Sequence, residues 1–323
     1  MSIPKKQGDE RLPVTLVTGF LGSGKTTLLS ALLRRADKGR IAVIINEFGE
    51  IPLDQALIES NDGQVVVFAG GCLCCAVAGD IAATLLDLHH RREASPFDRI
   101  VIETSGLADP GPILAPLIQA PELTSLFRVD GVIALVDALQ GSRELDRQRI
   151  SVKQIALADR IILTKSDIAA PRAVARLHEQ LGQLNPWAPI VVANHGDVDD
   201  LWLFDSKPYS IPPSKASESA NGHYHDHDHL GIRSFCLWFE MPLNGRRFTN
   251  AISALTDAYG EKILRIKGLL DLDGLPTAIH GVQHFLHPAA TLPAWPDPDT
   301  RSRIVFITDH LEEAAVRPFF SAF

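Results

Sequence analysis

Seven short apolar runs ahead of residue 204 set the pattern of the chain: 14–18 (VTLVT), 41–46 (IAVIIN), 65–68 (VVVF), 99–104 (RIVIET), 131–137 (GVIALVD), 160–164 (RIILT) and 189–193 (PIVVA). They are rich in β-branched residues and do not alternate apolar with polar. Runs of that kind suit strands buried on both faces, as in a parallel sheet covered by helices. Between them the apolar spacing becomes helical, over 26–36, 79–93, about 111–119, 143–157 and 171–184. Strand and helix in turn predict a three-layer α/β domain with a mainly parallel sheet over residues 1–204.

The pattern stops near residue 205. Residues 205–230 are rich in Ser, Pro and His and have no apolar period, so they read as a linker. Beyond it, 233–240, 262–272, 278–286 and 303–308 read as strands, and 246–259 and about 311–318 as helices. Strands grouped with two helices predict a smaller α+β domain over 231–323.

Composition narrows the function. Of 323 residues 46% are apolar and 22% charged, a soluble globular balance. The formal net charge of -8 argues against a nucleic-acid partner. No apolar run is long enough to span a bilayer, and the polar N-terminus lacks a secretory core, so a cytoplasmic protein is expected. In that compartment thiols stay reduced, and clustered cysteines suggest metal or redox chemistry rather than disulfides. Oligomeric state is not readable; a homo-oligomer stays open.

The run after the first strand, GFLGSGKT at 19–26, fits G-x-x-x-x-G-K-[ST] between a strand and a helix. Gly19, Gly22 and Gly24 let the backbone wrap around phosphate, and with Ser23 and Thr27 they form the cradle at the helix N-terminus. Lys25 would neutralise the β- and γ-phosphates, and the Thr26 hydroxyl would ligate Mg²⁺. TKSD at 164–167 follows a later strand. Asp167 stands where a carboxylate can accept from guanine N1–H and N2–H₂, which adenine does not offer in that arrangement. Lys165 would cover the base with its alkyl stem. Thr164 takes a place usually held by Asn, and its hydroxyl has fewer groups with which to brace the loop.

GGCLCC at 70–75 places three of the four cysteines within four positions. Cys72 and Cys74 project to one side of an extended loop, and Cys75 joins them only if the loop turns. Three thiolates suit Zn²⁺ and can also hold Co²⁺ or Cu⁺. Water, a client side chain, Glu47 or Glu50 would complete a tetrahedral site. His223, His225, His227 and His229 alternate through the linker and suit weak, multi-site metal capture. Cys236 lies inside an apolar run and reads as core.

Several motifs resemble one family. INEFGEIPLD at 45–54, GGCLCC at 70–75, ETSG at 103–106, TKSD at 164–167 and NHGDVD at 194–199 are similar to the CobW-type P-loop GTPases, relatives of the urease and hydrogenase accessory GTPases. KGLLDLDG, GVQHFL and LPAWP resemble the CobW C-terminal domain. The resemblance implies Mg²⁺-dependent GTP hydrolysis coupled to delivery of a transition metal, zinc or cobalt, to a client protein. Zinc is the commoner partner of thiolates. In that picture Glu103 and Glu47 serve the Mg²⁺ shell or position the attacking water, and Cys72, Cys74 and Cys75 hold the cargo ion. The rival readings are a cobalt chaperone for cobalamin synthesis, a plain GTP switch, and a zinc-buffering protein.

Overall fold

The structure, a computed structural model, describes residues 10–34, 41–45, 65–69, 79–204, 229–296 and 298–323. The chain divides into two compact units, Met1–Glu179 with Ala188–Ser206, and Gln180–Trp187 with Lys207–Phe323.

Among the described residues the first unit carries a seven-stranded sheet. Its strands are β1 (Leu12–Gly19), β2 (Ile41–Ile45), β3 (Val65–Ala69), β4 (Arg99–Glu103), β5 (Phe127–Asp137), β6 (Arg160–Thr164) and β7 (Ile190–Ala193). Their order is β3-β2-β4-β1-β5-β6-β7, and every pairing is parallel. Continuous burial follows: Ala42, Val43, Ile44, Ile100, Val101, Ile102 and Val132 through Val136 are all buried. Each large apolar side chain taken fully from water contributes about 2 kcal/mol. On one face Val17, Ile133, Leu135 and Ile162 pack against Leu28, Leu29 and Leu32 of the helix Lys25–Arg34.

β1 and β5 do not run in simple register. Val14 faces Val129 but Thr15 faces Gly131, so Asp130 is an extra residue. Gly131 takes φ +155, which allows the bulge. Asp130 then meets two cations, with Oδ2 3.1 Å from Arg99 Nη1 and Oδ1 2.6 Å from Arg128 Nη1. The Arg99 guanidinium also lies 4.0 Å from the centre of the Phe204 ring. Burial lowers the Arg99 pKa, opposed by the nearby Asp130 charge. The cluster sits at the starts of the strands, away from the site described below.

The sequence pattern misplaced some boundaries. The expected helix 143–157 is two helices, Gly141–Arg147 and Arg149–Leu157, with Gln148 extended between them at φ -117, ψ 98. Residues 146–149 (DRQR) are all exposed, so no apolar stripe carries the first helix into the second. Two short helices, Pro121–Leu126 and Asp200–Phe204, were not foreseen.

The second unit holds an antiparallel sheet in the order β11-β10-β9-β13-β8, with β12 paired to β10. The strands are β8 (Ile232–Phe239), β9 (Ile263–Leu272), β10 (Leu275–Val282), β11 (Phe285–Leu286), β12 (Ala290–Thr291) and β13 (Ser302–Asp309). The run 278–286, read as one strand, turns back instead: Gln283 adopts φ +55 and Val282 pairs with Phe285. No glycine or asparagine marks that turn. The helix Gly245–Tyr259 is capped by Asn244, whose Oδ1 accepts from the Arg247 N–H at 3.0 Å. It buries Phe248, Ile252 and Leu255 against Phe235, Phe306 and Phe320. The last helix, Glu313–Val316, passes into a tighter turn at Arg317–Phe320, where Pro318 stands.

Candidate functional site: the carboxyl ends of β1, β4, β5 and β6

In an open parallel sheet the strand ends point their loops to one edge, and ligands bind there. The phosphate loop leaves β1 with Gly19, Gly22 and Gly24 at φ +143, +75 and +95. A Cβ on Gly19 would run into the main-chain oxygen of Leu135 on β5 and lie 2.7 Å from Ser23 Oγ, so this position must be glycine. Ser23 Oγ is buried without a hydrogen-bond partner among the described residues. Lys25 Nζ donates to the main-chain oxygens of Gly19 at 2.8 Å and Phe20 at 3.1 Å. Wrapped glycines, an orphan hydroxyl and a lysine within the loop fit a polyphosphate.

Thr26 Oγ1 donates to Glu103 Oε1 at 3.2 Å across the β1–β4 pairing. Glu103 is 2% exposed. A hydroxyl and a carboxylate together are hard oxygen donors of the kind Mg²⁺ takes. The loop after β4 is tied down on every side. The Thr104 hydroxyl donates to Thr18 Oγ1 at 2.9 Å. The Gln154 amide, 1% exposed, donates to the carbonyls of Gly106 and Ala108. Lys153 pairs with Asp109 at 3.1 Å. Gly106 abuts the phosphate loop: a Cβ there would lie 2.7 Å from the Leu21 nitrogen.

The loop after β6 adjoins the same edge. Thr164 Oγ1 donates to Ser23 O at 2.8 Å and also lies 3.2 Å from Val136 O. Ser166 Oγ donates to Asn194 Oδ1 at 3.0 Å, joining the loops after β6 and β7. Asp167 is exposed, and its Oδ2 is 3.9 Å from His195 Nε2. Gly196, at φ +76, seats this second loop on the helix Lys25–Arg34, where a Cβ would meet Thr27 O at 2.9 Å.

Sequence reasoning overlooked a charged group beneath the loop after β6. Lys165 Nζ is 2.7 Å from Asp137 Oδ2 at the end of β5. Glu144, on the helix Gly141–Arg147, is half-buried. Burial first and the Asp137 charge second push its carboxyl up to about 7, against the opposing pull of Lys165 and Lys25. The visible signal was an aspartate closing the apolar run 131–137.

The structure thus brings together Gly19, Gly22, Ser23, Gly24, Lys25, Thr26, Thr27, Glu103, Thr164, Lys165 and Asp167 along one sheet edge. Glu47, Glu50, Cys72, Cys74, Cys75, His223, His225 and His227 lie outside the described residues. His229 stands at the edge of the expected linker, where its main chain exchanges two 3.0 Å hydrogen bonds with Ile232 in the turn that opens β8. Cys236 is buried, and burial pushes its thiol up to about 12, as suits a core residue. Among the described residues no group of three or more His, Cys, Asp or Glu side chains could hold a metal ion, and no helix is long and apolar enough to cross a membrane.

A wholly parallel sheet with this strand order, and a glycine-rich loop running from β1 into a helix, define a P-loop nucleotide-binding protein. Residues 13–192 match the CobW/HypB/UreG nucleotide-binding domain, and residues 232–323 match the cobalamin synthesis protein CobW C-terminal domain. The chain is 36% identical over 314 residues to the zinc chaperone YjiA of Escherichia coli K12, covering 96% of this chain and 98% of that one. It is 34% identical to the zinc chaperone CobW of Pseudomonas aeruginosa, covering 95% and 90%. The crystal structure of Zn(II)-bound YjiA GTPase from E. coli superposes with a TM-score of 0.70 at 31% identity, covering 97% of this chain and 99% of that one. The chain belongs to the CobW/HypB/UreG family of P-loop GTPases.

Proposed function

We propose that the protein is a Mg²⁺-dependent GTPase that binds zinc and passes it to a client protein. The observation that carries this reading is the placement of Lys25, Thr26 and Glu103 at the ends of β1 and β4, in a chain whose relatives are named zinc chaperones. Residues 1–204 form the GTPase domain, 205–230 a linker and 231–323 the C-terminal domain. The setting is the cytoplasm, where thiolates remain reduced.

Gly19, Gly22, Ser23, Gly24 and Thr27 wrap the phosphates, and Lys25 leaves the loop carbonyls to neutralise them. Mg²⁺, when bound, draws charge from the β- and γ-phosphate oxygens. Thr26 supplies it an oxygen. Glu103 orients that hydroxyl and, with Glu47, completes the shell or holds the attacking water. Asp167 accepts from guanine, Lys165 covers the base, and Thr164 braces both loops. Cys72, Cys74 and Cys75 grip zinc when GTP orders the segments around them. His223, His225, His227 and His229 add weak capture. Hydrolysis removes the γ-phosphate, the segments relax and zinc leaves. By linkage zinc tightens GTP binding by the same factor. No arginine finger stands out in the sequence, so turnover is slow without a partner.

The test is zinc affinity measured without nucleotide, with Mg-GDP and with a non-hydrolysable GTP analogue, in wild type and in Cys74→Ala. The analogue should tighten zinc in the wild type and leave the variant flat. Equal zinc retention in all three nucleotide states would sink the delivery reading. A plain switch predicts no cysteine-dependent binding, and a zinc buffer predicts full binding without nucleotide.

A further inference from the structure

Lys165 occupies the left-handed backbone region, at φ +56, where lysine is seldom found. Its side chain is 38% exposed, yet its ammonium is fixed 2.7 Å from Asp137 Oδ2. Asp137 itself is only 7% exposed along its side chain. Its other oxygen accepts the Leu139 N–H at 2.7 Å, so the carboxylate is held at both ends. Asp137 and Thr164 are direct partners across β5 and β6, and the Ala138 N–H donates to Thr164 O at 2.9 Å. Anchor and anchored loop therefore form one unit of backbone. Such a pair is a poor device for stability alone, because desolvating the carboxylate offsets much of the attraction to a half-exposed lysine. It is a good device for stretching a lysine stem along a fixed line.

We propose that Asp137 is a positioning residue for guanine selection: it pins the Lys165 ammonium so that the methylene stem forms a rigid wall for the purine whose edge Asp167 reads. This rests on the reading of residues 164–167 as the base-binding loop.

The full-length chain is titrated by calorimetry with GDP, with ADP and with inorganic pyrophosphate. The proteins are wild type, Asp137→Asn, Lys165→Met and the double variant. Asparagine keeps an oxygen for the Leu139 N–H and turns an NH₂, itself a donor, toward the Lys165 ammonium, so the anchor is lost. Asp137→Asn should weaken GDP about 10-fold and leave pyrophosphate within about twofold, since that probe has no base. The double variant should bind GDP no more weakly than Lys165→Met, because Asp137 acts through Lys165. A twofold or smaller effect of Asp137→Asn on GDP would overturn the proposal. So would an equal loss for pyrophosphate, or a double variant in which the two losses multiply. If Asp137→Asn does not fold, Lys165→Met against the double variant, with both charges gone, still decides. Wild type binding GDP and ADP equally would remove the base-loop reading itself, a result separate from the others.

Discussion

Thr164 Oγ1 lies 2.8 Å from the main-chain oxygen of Ser23, joining two loops 141 residues apart in sequence. A hydroxyl has one proton, so Ser23 O and Val136 O, at 3.2 Å, must share it. Substitution by valine keeps the shape and removes the donor. Thr164→Val should cost about 1 kcal/mol of stability and weaken GDP about fivefold. Thermal melts with and without GDP measure both; an unchanged GDP-induced shift in Tm would mean the brace is idle.

Gly106 meets the phosphate loop edge-on. In Gly106→Ala the added methyl would sit 2.7 Å from the Leu21 nitrogen and 2.9 Å from its Cα. The loop after β4 must back away, at a cost of about 1–3 kcal/mol. Phosphate release from GTP should fall about 10-fold, which corresponds to about 1.4 kcal/mol on the barrier. GDP affinity should stay within about threefold, as that ligand has no γ-phosphate near this loop. Steady-state turnover beside a GDP titration separates the two.

Glu144 gives a pH signature. Its folded pKa of about 7 lies above its ordinary value of 4.5. The neutral acid's contribution is therefore fully present below about 4.5 and is lost as pH rises through about 7. Glu144→Gln removes the titration. The variant should match wild type near pH 4.5 and exceed it above pH 7. With the group half exposed, solvent screening limits the gain to about 1 kcal/mol. Urea midpoints across that range would show a widening gap; parallel curves would refute the assignment.

Asp130 answers two arginines at the bulge in β5. Asp130→Asn leaves Arg99 and Arg128 facing a neutral amide, and Arg99 is 6% exposed along its side chain. Removing one member of such a buried group costs about 3–5 kcal/mol. The site is unaffected, since Asp130 and Asp137 lie about 23 Å apart along the strand. A large drop in unfolding free energy with unchanged GDP affinity of the folded protein is the expected pair of results.

The sheet was legible because its inner strands, such as β2 and β4, are buried on both faces, and continuous runs such as IAVIIN have few other uses. The phosphate loop was legible because glycine at residues 19, 22 and 24 answers a local backbone demand. The pairing of Asp137 was not legible, because Lys165 arrives from the neighbouring strand. Glu144 shows the same limit, since its carboxyl is raised by burial first and by the Asp137 charge at the end of β5 second. The break at Gln148 was hidden in propensity and visible only in the lost apolar stripe. The turn at Gln283 lacked any glycine to announce it.

The helix Lys25–Arg34 carries Lys25 and Thr26 at its start and seats Gly196 against Thr27, Leu28 and Ala31 farther along. From Gly196 the connection runs through Asn194 to Ser166, one residue from Asp167. The phosphate loop and the loop carrying Asp167 are thus both held from a single stiff rod. The consequence is metric: under the proposed function, the distance between the residues that grip phosphate and those that read the purine is preset, and a compound of the wrong length would meet a frame that does not stretch.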